Sequence, residues 1–481
     1  MSVEACSQPG GVELLTPVGE GSETKRLTAP APVGPVREVW ALAWPAIGHM
    51  LLITLVFMAD RALVGRYASS ALASMQISTT LSWTVLSLLT AFSIGTLALV
   101  ARLNGAGDRR LAATAARASL ALALVLGLVT VGPLWLACQW LVPVLFPAVA
   151  PAVMHQAIAY LDIVLPVLPI AFLAAVAVAC FQAGGDTRTP LIGAAIANLI
   201  NLVASSVLIF GLFGLPEMGV RGAAVGSVLA FVAEAIFLAL VLRSKGSPVP
   251  LCLGARHGQA ATLDAHLRML RRLVRVSLPA LGEKLVYHAG YLGFVAIIGL
   301  LGATAMAANQ ALISIEALSY QTAEGFGIAA GTLAAQKLGA GKDGEASRSS
   351  SIAARLAMGA LATFATAFVL VPELLMRGFG SDPAIIELGV ETLYVAAAAQ
   401  PVMAFAVVSS MTLRGAGATR TALGLTLLCS VGVRLAATWL LAIELEMGLV
   451  GVWLGSAVDW LVHAVLLVVV LERGRWRKAV V

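Results

Sequence analysis

The chain has 481 residues, of which 59% are hydrophobic and only 12% charged, with a formal net charge of +6. A soluble globular protein could not cover that much apolar surface, so that class is excluded. The five cysteines (Cys6, Cys138, Cys180, Cys252 and Cys429) are scattered with no Cys-x-x-Cys, so neither a disulfide framework nor a zinc site is indicated.

Residues 1–37 are polar and rich in Gly, Pro, Glu and Thr. They lack the basic start, apolar stretch and small-residue cleavage site of a signal peptide, and they read as a disordered cytosolic tail. Six apolar segments follow, at about 38–64, 76–101, 112–136, 154–180, 189–212 and 221–242. Each can cross a hydrocarbon layer of about 30 Å as a helix. Residues 243–271 carry Arg243, Lys245, Pro248, Pro250, Arg256 and Arg268 and read as a polar, basic cytosolic linker. Six more apolar segments lie at about 272–299, 306–335, 350–371, 387–412, 420–443 and 449–471, and residues 472–481 form a cytosolic C-terminal tail. The expected fold is all-α and polytopic: twelve transmembrane helices in two pseudo-symmetric lobes, 38–242 and 272–471.

The two lobes repeat one another. Residues 41–107 reappear at 275–341 with a constant offset of 234. Pro45 matches Pro279, Gly65 matches Gly299, and Gly105-Ala-Gly107 matches Gly339-Ala-Gly341. Gly185-Asp-Thr-Arg188 matches Gly417-Ala-Thr-Arg420, and Gly222 with Gly226-Ser227 matches Gly451 with Gly455-Ser456. Duplicated membrane bundles are the usual build of secondary transporters, with the substrate site between the halves.

Lysine and arginine placement sets the expected orientation. Arg102, Arg109, Arg110, Arg271, Arg272, Arg275, Lys337, Lys342, Arg348, Arg473, Arg475, Arg477 and Lys478 all fall in alternate connections or the C-terminal tail. Both termini and the even-numbered loops are therefore expected in the cytosol, with the chain spanning a bacterial cytoplasmic membrane as a monomer. The basic residues are spread over these loops without interleaved aromatics, which disfavours nucleic acid as a partner. His-Glu-x-x-His, Gly-x-Ser-x-Gly and paired intramembrane aspartates do not occur, so an enzyme is not expected. A channel is disfavoured by the two-lobe repeat.

Several motifs together resemble the MATE (multidrug and toxic compound extrusion) transporters of the multidrug/oligosaccharidyl-lipid/polysaccharide flippase superfamily. They are Leu42-Ala-Trp-Pro45, Met58-Ala-Asp60, Val64-Gly65, Ala71-Leu-Ala73, Leu103-Asn-Gly-Ala-Gly107, Gln182-Ala-Gly-Gly-Asp-Thr-Arg-Thr-Pro190, Leu413-Arg-Gly-Ala-Gly-Ala-Thr-Arg420 and Gly474-Arg-Trp-Arg477. The resemblance covers about residues 38–478. It implies two six-helix lobes rocking about a central cavity, and export of organic, often cationic and amphipathic, compounds against an inward flow of H⁺ or Na⁺. No prosthetic cofactor or resident metal is implied. Related families flip lipid-linked precursors, a second reading that would favour a cationic cavity.

A charge inside the bilayer is costly and calls for a reason. Asp60 is the first candidate: a carboxyl taken out of water can exchange protons near neutral pH. If proton or Na⁺ and a cationic substrate compete for it, antiport follows. The resemblance places the family's first-span aspartate here. The alternative is an interfacial Asp60 paired with Arg61 or Arg66, about 30 Å along the helix from Trp40. Asn201 matches an asparagine of the proton-coupled branch, but Ser205 stands where that branch has an aspartate. Ser205 could instead help coordinate Na⁺. Asn198 is an ion-site candidate or a helix–helix hydrogen bonder. In the second lobe Glu316, Tyr320 and Glu324 share one helix face. With Glu283, Gln321 and Gln310 they are candidate cavity residues that would attract cations.

The Na⁺-linked branch uses a seventh-span glutamate and a tenth-span aspartate. Glu283 is in the right span, but Gln400 stands where the acid is wanted, which leans the coupling ion toward H⁺. Glu283 could equally pair with Lys284 or Arg434. Glu234, His463 and His288 read as structural polar groups, and Asp162 and Asp459 as interfacial ones. Pro45 is the expected hinge of the first span, or else a static kink. Trp83, Tyr394 and Met403 are further candidate cavity walls, and the glycines around 105 and 339 serve tight turns.

Overall fold

A computed structural model describes residues 34–147, 149–244, 246–249, 263–380 and 382–479. The N-terminal tail thus lies almost wholly outside the described residues, as do Cys6, Lys245, Pro250, Cys252 and Arg256. Twelve long helical runs fill the remainder. In the first lobe they are α1 (Pro35–Tyr67), α2 (Ser70–Gly105), α3 (Arg109–Leu145), α4 (Pro151–Ala183), α5 (Arg188–Phe210) and α6 (Val220–Arg243). In the second they are α7 (Leu263–Leu300), α8 (Ala303–Gly339), α9 (Asp343–Leu370), α10 (Pro383–Gly415), α11 (Thr419–Glu444) and α12 (Gly448–Arg473). Ten of the twelve are long and apolar enough to cross a membrane by composition. The other two, α7 and α8, are interrupted by Glu283, Lys284 and His288 and by Glu316 and Glu324.

The start of α7 differs from expectation. Residues 263–271 of the expected linker are already helical. The reason is amphipathicity: Met269, Leu273 and Val276 are buried, while Arg268, Arg271, Arg272 and Arg275 are exposed on the opposite face. Met269 and Leu273 pack into a first-lobe cluster with Leu99, Phe181 and Leu238.

The duplication is visible atom by atom. Thr187 Oγ1 donates to the Leu42 carbonyl at 2.9 Å, and Thr419 Oγ1 donates to the Val276 carbonyl at 2.9 Å. Gly48 faces Leu191, and Gly282 faces Leu423. These pairs link α1 to α5 and α7 to α11 in the same way.

The lobes meet where α1 and the second half of α2 pack against α7 and α8. Val39 and Ala43 of α1 join a second-lobe cluster with Ala323, Phe326 and Met403. The run Gly325–Ala335 of α8 is buried on every side, and its small residues let neighbouring backbones approach. At the basic face the turn reading of the repeated glycines holds for Gly107 and Gly341, at φ 78° and 73°. Gly105 and Gly339 have another job. A Cβ on Gly105 would fall inside the Gln336 carbonyl, and one on Gly339 would fall inside the Arg102 carbonyl. The two lobes cross there backbone to backbone.

Candidate ion and substrate sites

Asp60 lies in the second half of α1 and is only 7% exposed. Asp60 does not pair with Arg61 or Arg66: both arginines are exposed, while the Asp60 carboxylate points to Asn201 within the first lobe. Asn201 Nδ2 of α5 lies 3.4 Å from Asp60 Oδ2 and 3.4 Å from Ser227 Oγ of α6. Ser205, one turn beyond Asn201, is fully buried beside the same carboxylate. Tyr160 of α4 is buried next to Ser227 and Asp60.

Four helices thus supply five polar side chains to one buried cluster, the Asp60 chamber. Asp60 Oδ1, Asn201 Oδ1 and Ser205 Oγ are buried there without a hydrogen-bond partner. Three unpaired buried oxygens in one chamber call for an explanation, since such groups are normally satisfied. Asn198 stands apart: its Nδ2 donates to the Leu52 carbonyl at 2.7 Å, two turns before Asp60. It is the helix–helix hydrogen bonder of the two readings.

The second lobe treats its acids differently. Glu283 pairs with neither Lys284 nor Arg434 but with Arg414 of α10, whose Nη2 is 2.6 Å away and whose Nε is 3.2 Å from both carboxylate oxygens. Thr426 Oγ1 donates to the same carboxylate at 2.9 Å. Glu283 is therefore saturated. Asp459 is buried rather than interfacial: it meets Arg434 at 2.6 Å, because α12 turns it inward onto α11. Asp162 is half-buried and accepts from Cys138 Sγ at 3.2 Å.

Glu316, Tyr320 and Glu324 of α8 are half-buried, with Glu316 beside the buried Gln400 and Glu324 within electrostatic reach of Lys284. Gln321 Nε2 reaches across the lobes to Thr54 Oγ1 at 3.0 Å, whereas Gln310 is exposed near the start of α8. His288 also bridges the lobes, lying 3.2 Å from Ser87 Oγ and edge-on to Trp83. His463 stacks on Trp460 and lies 3.5 Å from Ser410 Oγ. Pro45 is buried within an unbroken α1.

Sequence reasoning missed Tyr160, Ser227 and Arg414. Ser227 sits inside a motif that the repeat had already marked, and Arg414 inside one that carried the family resemblance. Nothing distinguishes Tyr160 from any other aromatic in an apolar span.

A duplicated bundle of twelve helices, with buried carboxylates in both halves and a polar junction between them, is the build of a membrane transporter. The MatE family model matches residues 45–207 and again 279–440, one copy per lobe, and the chain belongs to that family. It is 29% identical over 452 residues to the "Probable multidrug resistance protein NorM" of Thermotoga maritima, covering 92% of this chain and 94% of that one. An outward-facing multidrug resistance MATE family transporter of the MOP superfamily superposes with a TM-score of 0.84 at 20% identity, over 93% of this chain and 97% of that one. A MOP superfamily transporter from Pyrococcus furiosus, for which reverse polarity of the binding pocket suggests a different function, superposes with a TM-score of 0.84 at 20% identity, over 92% and 97%. The protein is thus a multi-pass membrane transporter of the multidrug efflux type.

Proposed function

We propose that the protein is an antiporter that exports organic, cationic amphipathic compounds across the bacterial cytoplasmic membrane, driven by ion entry at Asp60. One observation carries this reading: Asp60 Oδ1, Asn201 Oδ1 and Ser205 Oγ are buried together without a hydrogen-bond partner. A proton on the carboxylate supplies a donor, and a Na⁺ ion would accept all three as ligands. A substrate cation competes for the same charge, so cargo and fuel bind by turns. The proton is favoured, because α10 offers Gln400 rather than an acid to a second-lobe Na⁺ site.

Cavity polarity supports a cationic cargo. Arg414 and Arg434 are neutralised by Glu283 and Asp459, which leaves Glu316 and Glu324 against Lys284, an acidic balance. A flippase for an anionic lipid-linked precursor would want the opposite sign. Tyr320 and Gln321 border the acidic face of α8, Pro45 serves as the hinge, and both termini lie in the cytosol of a monomeric transporter with no prosthetic group.

The test is efflux from vesicles loaded with a panel of fluorescent cations, with pH and Na⁺ gradients imposed separately. An inward proton gradient should empty the wild-type vesicles, and Asp60→Asn should abolish that response at unchanged expression. Coupled efflux that survives Asp60→Asn would remove Asp60 from the mechanism. Gradient-driven movement of lipid-linked phosphates in place of cations would favour the flippase.

A further inference from the structure

The internal symmetry allows the Asp60 chamber to be mapped onto the second lobe. The offset between α1 and α7 is 234, so Asp60 corresponds to Phe294. At the start of α5 and α11 the offset is 232, fixed by the pairs Thr187/Thr419 and Leu191/Leu423. Further along it becomes 233. Gly226 packs on Ser205 as Gly455 packs on Thr438, and Gly222 on Ile209 as Gly451 on Ala442. The extra residue is taken up between them, where α11 is π-helical over Leu427–Val433. A π-turn accommodates one residue more than an α-turn and often marks a functional position.

The counterpart of Asn201 is therefore Arg434, not Val433. Its guanidinium lies 2.6 Å from Asp459 and stands 5.9 Å from the centroid of Phe294, the Asp60 counterpart. Its other face is 5.2 Å from the Trp460 ring. The Asp459 side chain is 1% exposed and that of Arg434 12%. Asp459 itself comes from α12, the counterpart of the helix that gives Ser227 to the first chamber.

We propose that Arg434 is a resident cation, standing in the second lobe where the first lobe takes up an exchangeable one. The acid has moved from the first helix of the lobe to the last, and the cation has become covalent. The guanidinium holds Asp459 Oδ2 permanently, leaving Asp459 Oδ1 and Thr438 Oγ1 unpartnered, and coupling is confined to the first lobe. This rests on the Asp60 reading given above, and it deepens it by explaining how a duplicated protein couples through a single half. A carboxylate as deeply buried as Asp459 cannot stand alone, since removing one partner of a buried pair strands its charge. With the guanidinium gone, it must recruit H⁺ or Na⁺ from solution.

The experiment measures melting of the purified full-length protein against pH and against Na⁺ at constant ionic strength. It is done in an Asp60→Asn background, so that the first chamber is silent. Tyr287, Glu316, Tyr320, Cys429 and His463 also lie within electrostatic reach of Arg434, so losing the guanidinium alters their titration too, and the Asp459→Asn comparison separates their response from that of Asp459. Arg434→Met should melt lower and gain roughly 1–2 °C for each tenfold rise in H⁺ or Na⁺ activity, beyond the parent's own response. Adding Asp459→Asn should remove that extra dependence.

An Arg434→Met protein with the parent's ion response would overturn the proposal. So would an extra response that outlives Asp459→Asn. If Arg434→Met does not fold, the pair Arg434→Met/Asp459→Asn in the otherwise native chain decides. It should fold and retain proton-driven efflux, because it strands no charge; failure to fold or loss of coupling counts against the resident cation. Persistence of coupling in Asp60→Asn alone would instead sink the first-lobe reading and leave the melting result standing.

Discussion

At the scale of single residues, the first lobe surrounds a carboxylate with neutral groups, the Asn201 amide and the hydroxyls of Ser205, Ser227 and Tyr160. Ser205 is the informative departure, because a second acid at that position would share the chamber with Asp60. Two carboxyls in one site titrate as a coupled pair, in two macroscopic steps. Ser205→Asp should therefore split the pH dependence of efflux into two steps, whereas Ser205→Ala should keep one. The pH profile of counterflow in proteoliposomes reads this directly, and a single-step curve in Ser205→Asp would place the coupling site elsewhere. Asp60 was legible in the sequence because a charge stands out in an apolar run. Tyr160 and Ser227 were not, since residues of their kind occur throughout these helices. The Glu283–Arg414 pair was equally hidden: α7 and α10 are not packing neighbours, and residues 131 apart meet only because the long Arg414 side chain reaches across to Glu283.

At the scale of elements, glycine spacing rather than side-chain chemistry decides how the lobes close. Gly105 and Gly339 are equivalents under the repeat, and each sits against a backbone carbonyl of the other lobe. A single Cβ at either place has nowhere to go, because the atom it meets is main chain. Gly105→Ala should thus pry this face apart and slow turnover while leaving substrate binding in place. Spin labels on Arg109→Cys and Lys342→Cys would report a longer, broader distance in that background; an unchanged distribution would mean that the helices slide to absorb the methyl. The repeat showed that these glycines matter, but not that they touch the opposite lobe. The one-residue shift in α11 was likewise beyond reach, because a π-turn leaves no mark in composition. Helix α7 was shortened in the sequence reading because four arginines on its outer face resemble a linker when their three- and four-residue spacing is overlooked.

At the scale of the molecule, the all-helical, two-lobe build and its pseudo-symmetry were readable from hydropathy and the repeat, since both follow from the thickness of the bilayer and from duplication. Orientation rests on charge alone, and it is the property on which the proposed direction of transport depends. If the basic loops are cytosolic, the turn after α8 and the C-terminal tail share one side, and the α5–α6 connection lies on the other. That connection carries Phe213, which is 92% exposed, so a probe there is accessible. In a background lacking the native cysteines, Phe213→Cys should react with a membrane-impermeant maleimide added to intact cells. Lys342→Cys should react only after permeabilisation. The reverse pattern would invert the transporter: the Asp60 chamber, near the Phe213 end of α1, would then open toward the cytosol, and a proton falling down its gradient could not drive cargo outward.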